Sequence, residues 1–114
     1  PEGARQGLRS GRATLPVIKA PKAATVADCA SLEQLPNIGP AMAEDLRSIG
    51  IGEPRELAKA DAWQLYRKLC EKTGVRQDPC VLDTFLAVTD FARGAPAAPW
   101  WAYTAKRKAT FGAI

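Results

Sequence analysis

From Ser31 onward the apolar positions recur at helical spacing, in short runs separated by proline, glycine and capping residues. Ser31 with Gln34 three positions later forms a capping-box pattern and predicts a short helix that ends before Pro36. Pro40 suits the first position of a second helix, where a missing N–H costs nothing. In that helix Met42, Ala43, Leu46 and Ile49 fall on one stripe, and Gly50 supplies a left-handed stop. Pro54 opens a brief helix through Ala60, with Leu57 inward. Asp61, with Gln64 three later, caps a longer one to Gly74 whose apolar positions are Trp63, Leu65, Tyr66, Leu69 and Cys70. Asp78-Pro79 starts the strongest helix, which runs to about Arg93. Its residues Val81, Leu82, Phe85, Leu86, Val88 and Phe91 cover more than one face and predict a central, buried element. Gly94 ends it, Ala95–Pro99 reads as a loop, and Thr104 is expected to cap a last short helix that frays towards Phe111. No segment alternates with period two long enough to suggest a sheet. The expectation is an all-α, compact bundle of about five short helices over residues 25–112.

Residues 1–24 show no sustained period and are rich in Gly, Pro, Ala, Arg and Lys. They read as a disordered, basic N-terminal tail. A sharper reading of the same stretch is an arm that meets phosphates through Arg5, Arg9, Arg12, Lys19 and Lys22.

Length and composition fit one domain: 114 residues, 46% of them hydrophobic. No apolar run is long enough to span a membrane, and no apolar h-region opens the chain, so the expected compartment is the cytoplasm. The formal net charge is +4. Divided along the chain, residues 1–30 carry five basic and two acidic side chains, residues 31–94 eight and ten, and residues 95–114 three and none. The basic excess therefore belongs to the two ends, and the presumed folded core is slightly acidic. For a nucleic-acid binder, the positive footprint would lie in the ends or on one face of a mixed surface.

The candidate chemistry narrows further. The chain has no His, which removes the commonest general base and the commonest zinc ligand, and its three cysteines are widely spaced. No cofactor, metal or small-molecule substrate is indicated. Cys80 stands in the first turn of a helix, where thiolate is favoured, but Asp78 beside it opposes that charge. An inert thiol is the expected state, and a thiol-dependent activity the remote rival. Asp83 and Asp90 lie two turns apart, too far to share a proton.

The segment Leu35-Pro36-Asn37-Ile38-Gly39-Pro40 poses a specific physical problem: a tight reversal that presents free backbone N–H groups at the start of the next helix. Gly39 is expected to take the unusual backbone angles. The amides of Gly39, Ala41 and Met42, aided by the helix dipole, then favour an anion such as a phosphate.

These residues resemble the hairpin of helix-hairpin-helix proteins, usually Leu-Pro-Gly-Val-Gly-Pro-Lys-Thr-Ala, which grips the DNA backbone without reading sequence. Residues 31–110 resemble the small bacterial helix-hairpin-helix family labelled "pathogenicity locus" or "mitomycin resistance protein". The features that carry this are the turn, Leu46…Ile49-Gly50-Ile51, Leu65-Tyr66…Leu69-Cys70, Asp78-Pro79-Cys80-Val81-Leu82-Asp83 and Pro99-Trp100-Trp101. The front half also resembles the C-terminal domain of the TfoX competence regulator, which implies a SAM-like arrangement of helices. Against the common hairpin, Asn37 replaces the first Gly, a change its tolerance of left-handed geometry permits. Ala41 replaces a Lys that often contacts phosphate, and Met42 replaces a Thr. A second Gly-x-Gly hairpin is absent. The resemblance therefore implies weak, backbone-directed DNA binding.

Two readings of function follow. The first is a non-catalytic, sequence-independent DNA-binding module in DNA repair, uptake or stress resistance, with Asn37, Gly39, Ala41, Met42 and Arg47 at its site. The second is a protein–protein interaction module in which the turn is only scaffold. Its surface would be Trp100, Trp101, Tyr103, Lys106 and Arg107. That aromatic and basic cluster also suits stacking on unpaired bases, while its plainer role is to close the core under a Pro-rich loop.

Overall fold

In the computed structural model, residues 22–112 are described. Arg5, Arg9, Arg12 and Lys19 of the expected arm lie outside the described residues. Where the expected tail enters the described body it is tied down, since the Ala23 N–H donates to the Gln34 carbonyl at 3.0 Å.

The described fold is all-α: four α-helices joined by short stretches of 3-10 helix. After the 3-10 turns Val26–Asp28 and Leu32–Gln34 come α1 (Pro40–Ser48), a 3-10 stretch Pro54–Lys59, α2 (Ala62–Thr73) and α3 (Pro79–Ala92). A 3-10 turn Trp100–Tyr103 then leads into α4 (Thr104–Phe111). The element before the Pro36 turn is thus one 3-10 turn rather than an α-helix. Only three residues separate the Ser31 cap from Leu35, which Pro36 forces out of the α region to φ −70°, ψ 143°.

The glycine stops act as the pattern requires. Gly50, Gly74 and Gly94 all have positive φ, at 102°, 74° and 106°. Asp78 caps α3 by accepting the Cys80 N–H at 2.9 Å. Thr104 opens α4 but does not cap it; its hydroxyl is used elsewhere.

Helix α3 is the axis of the molecule. Nine of its fourteen residues are buried, and α2, α4 and the 3-10 stretches Pro54–Lys59 and Trp100–Tyr103 pack around it. Phe85, Leu82 and Val88 meet Leu57, Leu69 and Leu46 in one apolar core. Helix α1 lies against α2 at the edge. The turn between Leu32–Gln34 and α1 is anchored by its own apolar residues, because Leu35 and Ile38 are both fully buried. Each such side chain contributes about 2 kcal/mol, enough to fix the polar turn residues between them. At the other end Phe111 of α4 stacks on Trp63 of α2 with ring centroids 5.0 Å apart.

Candidate nucleic-acid interface

The turn is built differently from the expectation. Asn37, not Gly39, takes the left-handed conformation, with φ 69°. Gly39 sits at φ −91°, ψ −177° as the residue preceding α1, an extended geometry open to any residue type. A Cβ added there would meet nothing within 4 Å. The reversal is completed two positions earlier than expected, which leaves position 39 free to serve as the helix cap.

The amides of Gly39, Ala41 and Met42 have no protein acceptor among the described residues, since the first bond back into the turn is Ala43 N–H to Gly39 O at 2.9 Å. Pro40 carries no N–H to add. Ala41 is exposed and Met42 and Gly39 are half-buried. The arrangement offers backbone N–H groups to an anion at the positive end of a nine-residue helix.

The charged residues expected around the turn are arranged otherwise. Arg47 is held in two ion pairs: its guanidinium grips the Glu33 carboxylate at 2.8 and 3.0 Å and reaches Glu44 at 2.8 Å. The hydrogen bonds from Arg47 hold Glu33 below the usual carboxylate range, and those to Glu33 and Glu44 raise the Arg47 pKa. Its charge is therefore committed within the protein, on a rim that carries two carboxylates.

Lys22, expected as a phosphate contact of the arm, turns inward instead. Its ammonium donates to the carbonyl oxygens of Glu33, Leu35 and Ile38 at 2.9, 2.9 and 2.6 Å. The break in helical pairing around Pro36 leaves these carbonyls pointing together, and the cation answers them. No periodicity links position 22 to 38, so nothing local in the sequence signals this contact.

The aromatic and basic cluster near the C-terminus divides into inward and outward parts. Arg107 is buried: its Nε donates to Asp83 Oδ1 at 2.8 Å, and the same carboxylate accepts the Thr104 hydroxyl at 2.8 Å. It fastens α4 to α3 and is not part of an exposed surface. The pairing is what raises the Arg107 pKa. Tyr103 is half-buried, its phenol pushed up by burial and by the Asp90 carboxylate. Lys106 lies 3.9 Å from Asp90 and 5.9 Å above the Tyr103 ring. Trp100 and Trp101 meet edge to face, with centroids 5.6 Å apart, and Trp101 remains 64% exposed.

Asn37 links the turn to the loop that precedes the aromatic cluster. Its side-chain amide donates to the Ala98 carbonyl at 2.8 Å, so the loop leading into Trp100 is pinned to the turn. A groove runs between them, lined by Lys22, Ala23, Pro36, Asn37, Ala98 and Pro99.

Cys80 is half-buried, and burial with the carboxylates of Asp78 and Asp83 pushes its thiol up. Such a thiol is a poor nucleophile at neutral pH. Among the described residues no cluster of His, Cys, Asp or Glu could hold a metal ion, and no helix is long and apolar enough to cross a membrane.

Comparison with known proteins agrees with the family resemblance. Residues 25–109 match the family described as "Pathogenicity locus". A curated relative, "Mitomycin resistance protein McrB" of Streptomyces lavendulae, is 42% identical over 84 residues, which span 74% of this chain and 80% of that protein. No solved structure matches the chain.

Proposed function

This chain belongs to the pathogenicity-locus family, and from that premise we propose that it is a non-catalytic, sequence-independent nucleic-acid-binding module of the helix-hairpin-helix type. The observation that carries the reading is the set of unpartnered amides at Gly39, Ala41 and Met42, with open space where a Cβ at position 39 would stand. Neither backbone strain nor a neighbour inside the chain requires glycine there. The open space admits a close external approach to the backbone. One backbone phosphate bound to these donors gives affinity without base readout.

The affinity is low. Arg47 is neutralised, Ala41 offers no cation, and Glu33 and Glu44 repel phosphate at the rim. Attraction comes from the basic residues before Lys22 and from the exposed Lys108, and is screened by salt. The relative named for mitomycin resistance supports a setting in stress resistance. A second reading, a protein-docking surface at Trp100 and Trp101, is favoured by the exposure of Trp101.

The test is Gly39→Asp. Asp ranks with the best helix caps, and position 39 already has the backbone of a cap residue, so the variant folds with equal or greater stability. Its carboxylate occupies the amides and repels phosphate. We expect titration of labelled DNA at low salt to show at least about a tenfold loss of affinity, the equivalent of roughly 1.4 kcal/mol. Equal binding by a folded Gly39→Asp protein removes the turn from the interface. Arg47→Glu is a poor substitute, since it would set three carboxylates against one another.

A further inference from the structure

Three segments remote in sequence meet at one groove. Lys22 and Ala23, Pro36 and Asn37, and Ala98 and Pro99 line it. Residues 1–21, with Arg5, Arg9, Arg12 and Lys19 against a single Glu2, join the described body at this point. The stretch 95–112 passes the groove at Ala98 and Pro99; of its three basic side chains Lys106 lies against Asp90 and Arg107 against Asp83, and Lys108 is left exposed. The basic excess of residues 1–21 is thus attached beside the turn, to which the chain returns at Ala98 just before the aromatic pair.

Trp101 follows Ala98 by three residues, so its Cα lies within about 11 Å of that of Ala98. Its ring is 64% exposed. Trp100 meets it edge to face at 86°, which supports the ring from one side. Lys108 nearby in sequence is exposed and has no ion-pair partner among the described residues. An open aromatic face, on a chain whose residues 1–21 are basic and whose Lys108 is exposed, complements a ligand with flat apolar faces and regular negative charge. Unpaired nucleotides have both features, whereas a duplex hides its base faces in the stack and an acidic peptide offers charge without the flat face.

We infer that Trp101 is a stacking platform for an unpaired base, and that the ligand class of this module is single-stranded nucleic acid. The inference rests on the nucleic-acid reading above and specifies its substrate. The strand lies across the groove, with a phosphate at the start of α1 and a base on Trp101.

The experiment uses the full chain with oligothymidylate, an abasic strand of equal length and a duplex of equal length, at low and moderate salt. Indole fluorescence and anisotropy are read for the native protein, Trp101→Ala, Trp101→Phe and Gly39→Asp. Oligothymidylate is expected to quench indole emission more than the abasic strand or the duplex does. Trp101→Ala weakens binding of oligothymidylate roughly 5- to 150-fold, the range of one lost base stack, and leaves the abasic strand and the duplex within about twofold. Trp101→Phe keeps most of the affinity. If Trp101→Ala leaves oligothymidylate binding unchanged, or lowers all three ligands equally, stacking is overturned and phosphate binding stands. If Gly39→Asp binds as the native chain does while Trp101→Ala fails, the turn is overturned and the platform stands. Failure of the native protein to bind any of the three at low salt overturns both, and leaves Trp101 to a protein partner.

Discussion

The side-chain amide of Asn37 donates a 2.8 Å hydrogen bond to the carbonyl oxygen of Ala98, tying the turn before α1 to a loop 61 positions away. The same residue is the described non-glycine with positive φ, at 69°. Asn37 therefore has two separable duties. Asn37→Gly keeps the backbone conformation and loses the tie, at a cost of about 1 kcal/mol. Asn37→Ala loses the tie and adds about 1–2 kcal/mol of left-handed strain. Urea unfolding of both variants measures the difference, and equal midpoints would show that the strain is relieved by a rearranged turn.

Lys22 supports the turn from the other side. An ammonium has three N–H donors, and the carbonyls of Glu33, Leu35 and Ile38 all lie within 2.9 Å of it. Lys22→Met keeps the stem and removes the charge, and is expected to lower stability by about 2 kcal/mol. Lys22→Arg does not restore it, because a planar fork cannot converge on three acceptors around one point. In DNA titrations Lys22→Met leaves the slope of log affinity against log salt unchanged. A slope smaller by about one would mean that Lys22 neutralises a phosphate after all.

The buried pair Asp83–Arg107 fastens α4. Arg107→Met strands a carboxylate that is 0% exposed, and a loss of about 3–5 kcal/mol is expected. Combining it with Asp83→Leu recovers most of that loss, and the Thr104 hydroxyl, now without its acceptor, accounts for the remainder. A double-mutant cycle in urea measures the coupling; additive losses would mean that the pair is not formed in solution.

Acid stability follows from three carboxylates. Glu33 is lowered from 4.5 by its bond from Arg47, Glu56 from 4.5 by the amides of Glu53 and Gly52, and Asp78 from 3.8 by the Cys80 amide. Each group binds its proton less readily in the folded chain than in the unfolded one. Each therefore contributes stability above its ordinary pKa and loses it as pH falls through the lowered folded value. Thermal unfolding is expected to be flat from neutrality to about pH 5 and to drop below about pH 4. Glu33→Gln should shrink the acid-dependent part of that drop. An unchanged acid profile in this variant would assign the sensitivity to other carboxylates.

Cys80 is expected to be unreactive. Burial and the neighbouring Asp78 and Asp83 raise its pKa from the ordinary 9.0, so little thiolate exists at neutral pH. Iodoacetamide at a pH of about 7.5, below the ordinary thiol range, should label Cys80 more slowly in the native protein than in urea, with peptide mapping to identify the site. Native labelling as fast as in urea would revive a thiol-dependent role.

Much of the fold is legible residue by residue. Pro40, Pro79, Gly50, Gly74 and Gly94 mark helix boundaries because each acts through its own backbone, and α1 and α3 begin and end, and α2 ends, where they indicate. The central position of α3 is legible for a similar reason, since apolar residues on more than one face have to be covered. The roles of Gly39 and Asn37 are harder to separate. Both tolerate a left-handed turn, and which one adopts it depends on where the cap of α1 falls.

The sequence by itself determined the class of the fold, the helix boundaries and the place of the turn before α1, all of which follow from interactions within a few residues. Only the tertiary structure decided what the charged side chains do. Lys22 reaches carbonyls up to sixteen positions away, Arg47 pairs with Glu33 across fourteen, and Arg107 with Asp83 across twenty-four. A long cation has no periodicity to betray its partner, and whether it faces solvent or a buried carboxylate is settled by how the helices pack. That packing takes Arg107 away from the expected surface, commits the charge of the exposed Arg47 to Glu33 and Glu44, and sets the turn beside the loop that leads into Trp100.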